Sequence, residues 1–149
     1  MQKGQTASHG TACRPLYFDT ERRKENTMEE KLMKMNGWFG EQIADCMKRR
    51  EALQADDRAD EADFEKIRAN IYDVFRTVLA AAVKQSGGDA DAVRRFFLQR
   101  AEQIPASWNA AYEKARLHGD AERMRIESIK RNAARKVQTK FAEVWEGRA

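Results

Sequence analysis

Twenty residues limit what this chain can become: Phe64 to Val83, FEKIRANIYDVFRTVLAAAV. Phe64, Ile67, Ile71, Val74, Val78 and Ala81 recur at spacings of three and four. Tyr72, Phe75, Leu79 and Ala82 broaden that seam. A helix turns once in about 3.6 residues, so these side chains share one side of a helix. Glu65, Lys66, Arg68, Asn70, Asp73 and Arg76 fall on the other side. An apolar face this wide must be covered by other helices. Helical periodicity recurs on both sides of the stretch, and no convincing alternation of apolar and polar residues competes with it. The expected class is all-α.

With 149 residues there is room for one domain with a real core and too little for two ordinary ones. The chain reads as a single bundle of about five helices with antiparallel neighbours, over residues 28–149. A first helix is expected from about Glu29 to Gln54, with Leu32, Met35, Phe39, Ile43, Cys46 and Leu53 as its seam. Gly37 and Gly40 flank Trp38 there and suggest a kink or a close helix approach. In the break Ala55 to Asp60, Asp57 or Asp60 is expected to cap the central helix. Ser86-Gly87-Gly88 ends that helix and Asp89 caps the next. Val93, Phe96, Phe97, Ala101 and Ile104 form the face of a third helix, which Pro105 is expected to end while opening a fourth. His118-Gly119-Asp120 repeats the stop-and-start punctuation. A last helix, from about Ala121 to Glu146, carries Ile126, Ile129, Ala133, Val137, Phe141 and Val144, with Trp145 beside them.

Residues 1–27 lack a sustained period and read as a disordered or mis-assigned leader. Arg22-Arg23 can be written AGG-AGG, the core of a bacterial ribosome-binding sequence, and Met28 follows shortly after. On that reading Met28 is the true start. Against it, Thr27 and Glu30 form a T-x-x-E capping box. The two readings stand level.

Charge narrows the function. The leader holds five basic and three acidic residues, which leaves 23 of the 28 basic and 21 of the 24 acidic groups for the rest, a net of +2. A domain so near balance has no bulk positive field of the kind an obligate nucleic-acid binder needs. The last helix is the counter-signal. Arg123, Arg125, Lys130, Arg131, Arg135, Lys136 and Lys140 stand against one acid, Glu127, between Arg123 and Lys140. On a helical wheel they scatter: Arg131 and Arg135 outward, Arg125 and Lys136 on one flank, Lys130 and Arg123 on the other, Lys140 at the seam. Arg131 and Arg135 are the candidate phosphate contacts, but a solvated helix ranks ahead of nucleic-acid binding.

Chemistry is sparse. Cys13 and Cys46 form no metal-ligand or disulfide pattern, and Cys46 lies on an apolar face. His9 and His118 are the two histidines, and neither belongs to a metal motif. No phosphate-cradling glycine loop or nucleophile elbow is present. No catalytic residue, metal or other cofactor is expected. No apolar run is long enough to span a membrane, and a cytoplasmic setting is the default. Trp38, Trp108, Tyr112 and Trp145 are the candidate interaction surface, tryptophan being enriched where proteins meet.

Along DDRADEADFEKIRANIYDVFRTVL, then SGGD, FFL, QIPASW, YEKA and HGD, the chain resembles a small uncharacterised bacterial family of helical proteins. The resemblance covers about Met28 to Trp145 and implies no activity and no site. The first expectation is a non-enzymatic interaction or assembly module with a protein partner or a second copy of itself. One alternative is a nucleic-acid-associated regulator using the basic last helix. Another is a small-molecule binder or enzyme with a pocket near Trp108, Tyr112 and His118.

Overall fold

The computed structural model describes residues 28–147. The described residues belong to four helices: α1 (Gln2–Ala55), α2 (Ala59–Ser86), α3 (Ala90–Leu117) and α4 (Ala121–Glu146). No strand occurs among the described residues. The chain divides into two compact units, Met1–Met33 and Lys34–Ala149. The first is the N-terminal reach of α1. The second contains the rest of α1 and the three other helices. The leader reading of residues 1–27, with its capping box at Thr27, lies outside the described residues.

The all-α class holds, but the helices number four. The expected break at Pro105 does not occur, because α3 runs through it. A proline inside a helix supplies no N–H to the carbonyl four residues back. That carbonyl belongs to Ala101, itself fully buried. Gln138 of α4 fills the gap: its Nε2 donates to the Ala101 oxygen at 2.8 Å. A neighbouring helix thus supplies the donor that the proline lacks.

The other turns follow sequence chemistry. Gly119 sits at φ 66°. Asp120 N donates to Ala115 O (2.9 Å) and Gly119 N to Arg116 O (3.3 Å), the two bonds of a Schellman end. Asp89 and Asp120 cap α3 and α4, accepting from Asp91 N and Arg123 N. The α1–α2 turn differs from expectation. Neither Asp57 nor Asp60 caps α2; Arg58 holds that position, with no side-chain capping bond. Asp57 instead adopts φ 57°, with Arg58 N on Leu53 O (2.9 Å) and Asp57 N on Gln54 O (3.2 Å). The same Schellman geometry therefore closes α1, with aspartate where glycine usually stands. Within α1, a Cβ added at Gly37 or Gly40 would meet nothing within 4 Å. The helix is continuous there, so the close-approach expectation fails.

Cross-helix pairs fix the directions. Trp38 meets Tyr72 while Arg49 meets Glu65, so α1 and α2 are antiparallel. Trp145 Nε1 donates to Ala90 O (3.1 Å) while Gln138 Nε2 reaches Ala101 O (2.8 Å), so α3 and α4 are antiparallel too. Phe75 packs on Phe97 (6.4 Å between centroids), Phe97 stacks on Phe141 (4.3 Å) and Phe141 on Trp145 (4.6 Å). This aromatic ladder ties α2, α3 and α4 together, each pair contributing about 0.5–1.5 kcal/mol beyond its buried area.

The apolar stripe of α2 is rotated from the expected seam. Tyr72, Phe75, Leu79 and Ala82, the residues that broaden it, are its fully buried line, whereas Val74 is 41% exposed. Ile71 stays buried, and Phe64, Ile67, Val78 and Ala81 are half-buried. Two acids lie inside. Glu65 is held between Arg49 (2.7 Å) and Arg68. Glu127 lies between Lys130 (3.4 Å) and Arg123 (3.6 Å). Each is buried with its countercharges, as the cost of burying a lone carboxylate requires.

Candidate functional site

The basic residues of α4 have different fates once the other helices are in place. Arg123 and Lys130 pair with buried Glu127. Arg125 lies over the Phe64 ring at 4.7 Å. Arg131 lies over the Tyr112 ring at 3.9 Å, with its Nε buried. It is therefore not the outward phosphate contact expected from the wheel. Lys140 pairs with Glu143 (3.7 Å). Arg135 and Lys136 are exposed and have no carboxylate partner within 4.0 Å among the described residues.

Those two cations border a groove of about 590 Å³. Trp38 and Gln42 of α1 form one side, Arg68 and Tyr72 of α2 contribute next, and α4 supplies the other side from Asn132 to Glu143. Periodicity explains the membership. Arg68 and Tyr72 are four apart, as are Asn132, Lys136 and Lys140, so each set stacks along one helix edge. Ala133 is small and buried between these edges, leaving the space open.

Tyr72 is 1% exposed, and its hydroxyl has no hydrogen-bond partner. A buried, unpartnered hydroxyl is costly, and this one belongs to a groove-lining residue. Burial pushes the phenol upward; Cys46 and Glu65 add to the rise, and Arg68 and Arg49 oppose it. At neutral pH it is an uncharged donor. Trp38 is half-buried, edge-on to Tyr72 (5.5 Å, 88°) and tilted against Phe39 (5.4 Å, 60°). The groove thus assembles cations, neutral donors and one indole. Its one carboxylate, Glu143, is tied to Lys140.

The remaining candidates are dispersed. Trp108 is half-buried and edge-on to Phe75 (6.5 Å, 84°). Tyr112 lies under Arg131, and Trp145 is in the core at 6% exposure. These aromatics do not form one surface with Trp38. His118 is exposed, and because a carbonyl only accepts, its Nδ1 donates to Lys114 O (2.7 Å). A second hollow, of about 450 Å³, touches His118 with Ala111, Lys114, Ala115, Asp120 and Arg123; Trp108 and Tyr112 do not line it. Cys46 is buried beside Arg49, and burial raises its thiol pKa. Among the described residues no group of three or more His, Cys, Asp or Glu could hold a metal, and no helix is long and apolar enough to cross a membrane.

Of the residues named from sequence as candidates, Trp38 and Arg135 line this groove; Gln42, Arg68, Tyr72, Lys136 and Lys140 were not read as a set with them. The four-residue spacings within α2 and α4 were visible. That these two edges face one space, with α1 beyond, was not.

In comparison with known proteins, no protein-family model, no curated protein and no solved structure matches this chain.

Proposed function

We propose that this protein is a non-enzymatic binding module that holds an anionic partner in the groove between α1, α2 and α4. One observation carries the reading: Arg135 and Lys136 reach the groove without a carboxylate partner among the described residues. Five other basic residues of the same helix, from Arg123 to Lys140, are engaged by Glu127, Glu143 or an aromatic ring. Unpaired cations in an open groove favour a ligand that brings negative charge and accepts hydrogen bonds. The cytoplasmic and bacterial setting expected from the sequence belongs to the same proposal.

The test is binding at low ionic strength to labelled polyanions, poly-aspartate and a single-stranded oligonucleotide, by fluorescence anisotropy. At least one should bind. Changing Arg135 and Lys136 together to glutamine should weaken it by about tenfold or more, because both are exposed and leave the fold intact. Absence of binding to either polymer, or equal binding by the double variant, refutes the reading.

A further inference from the structure

We infer that the partner in this groove is single-stranded nucleic acid, an assignment that rests on the anion-binding reading above. The lining holds more than an anion needs. An acidic peptide presents carboxylate oxygens and backbone amides. It would use Arg135 and Lys136 but has no aromatic face to lay on Trp38. A nucleotide presents phosphate oxygens, an aromatic face and a base edge with both donors and acceptors. Each has a counterpart in the groove: Arg135 and Lys136 for phosphate, the half-exposed Trp38 for the base face, Gln42, Asn132 and Glu143 for the base edge.

The dimensions suit a strand. Asn132 to Glu143 covers about 16 Å of α4 at 1.5 Å per residue. That is room for a few nucleotides, and the groove is open to solvent. A duplex keeps its base faces stacked inside, so Trp38 would have nothing to stack on; a single strand exposes them. Packing against Tyr72 and Phe39 holds the indole in place before any ligand arrives. Arg68 and Lys140 are already paired with Glu65 and Glu143. Only about two phosphates are therefore neutralised by new contacts. At about 0.7 per phosphate for single strands, log affinity should fall against log salt with a slope of about −1.4.

The experiment uses the full chain and fluorescence anisotropy with a labelled mixed-sequence single strand of about a dozen nucleotides, from about 50 to about 200 mM salt. The expected result is binding with that shallow slope, about tenfold tighter than to the matching duplex. Arg135→Gln with Lys136→Gln should weaken the strand about tenfold and flatten the slope. Trp38→Leu should weaken it severalfold at unchanged slope, which separates stacking from charge. Should Trp38→Leu lose its thermal transition, Trp38→Phe replaces it: strand-induced quenching of indole emission should be present in the parent chain and absent in this variant. Arg131→Gln should bind as the parent does. Equal affinity for duplex, or binding and quenching indifferent to Trp38, overturns the single-strand assignment. Binding of poly-aspartate but not of the strand overturns it while leaving the anion-binding module standing. Binding of neither removes both.

Discussion

Pro105 and Gln138 offer a direct test of how this bundle keeps a proline inside a long helix. Gln138→Leu preserves the approximate bulk of the side chain and removes the donor that reaches Ala101 O at 2.8 Å. The carbonyl of a fully buried residue then has no donor, since Pro105 has no N–H to give. An unsatisfied buried acceptor costs about 1–3 kcal/mol. Gln138 is half-buried, so water reaches part of the site and leucine recovers some apolar contact. The expected destabilisation is about 1–2 kcal/mol. Pro105→Ala restores an N–H four residues from Ala101. In that background the carbonyl keeps a partner, and Gln138→Leu should cost less than about 0.5 kcal/mol. Pro105→Ala alone should stabilise, by less than the roughly 3 kcal/mol that separates proline from alanine in model helices, because Gln138 already offsets part of the defect.

The assay is urea unfolding followed by helical circular dichroism on all four chains of the cycle. With a slope of about 2 kcal/mol/M, the Gln138→Leu effect moves the midpoint by about 0.5–1 M in the parent. In the alanine background it should be near the limit of detection. The coupling energy between the two sites is then about 1 kcal/mol. Equal costs in the two backgrounds would refute the account, because the side chain would then be acting through its packing and not through the Ala101 carbonyl.

Other tests bear on the core, on the helix and on ionisation. Phe75→Ala should destabilise by about 3–5 kcal/mol and Val74→Ala by well under 1, since the first is fully buried and the second 41% exposed; similar midpoints in urea would move the buried line back to the sequence seam. Gly37→Ala and Gly40→Ala should each raise stability by about 0.5–1 kcal/mol, because a Cβ at either meets nothing within 4 Å; a loss in thermal melting would reveal a close neighbour or a needed bend. Cys46 and Tyr72 both have pKa values raised chiefly by burial. Their contribution is complete below the unfolded values and lost as pH rises through the folded ones, so stability should fall above about pH 9. In a Cys13→Ser, Cys46→Ser, Tyr72→Phe chain that alkaline fall should shrink; an unchanged profile would assign it to other groups.

Local chemistry made much of the fold legible. Gly87 at φ 65° and Gly119 at φ 66° stop helices where their sequence neighbours suggest, and Asp89 and Asp120 cap where expected. The misreadings share a cause. Asp57 carries an oxygen suited to capping, yet the end of α1 needs a left-handed residue there, and aspartate tolerates that conformation better than most. Pro105 obeys a rule about its own helix, but the donor that relaxes the rule lies on another one. In α2 the apolar stripe is wide enough to have two possible centre lines. Val74 and Phe75 differ by about 100° around the axis, and periodicity alone does not choose between them. Packing chose the line through Tyr72, Phe75 and Leu79, and this places Tyr72 where it lines the groove.

The groove itself shows why charge read along one helix misleads. On a wheel the cations of α4 scatter, and a scattered set reads as a solvated surface. In three dimensions each cation is defined by what stands opposite: Glu127 for Arg123 and Lys130, rings for Arg125 and Arg131, open space for Arg135 and Lys136. Glu127 was visible as the one acid in the run, four residues from Arg123 and three from Lys130, but its burial was not. The near-balance of total charge, +4 over the whole chain, argues against a long-range field. It does not bear on the groove. At physiological salt the screening length is about 8 Å, about half the length of α4 that borders this space. An anion entering there responds to the two unpaired cations within that distance and is insulated from compensating acids elsewhere on the bundle.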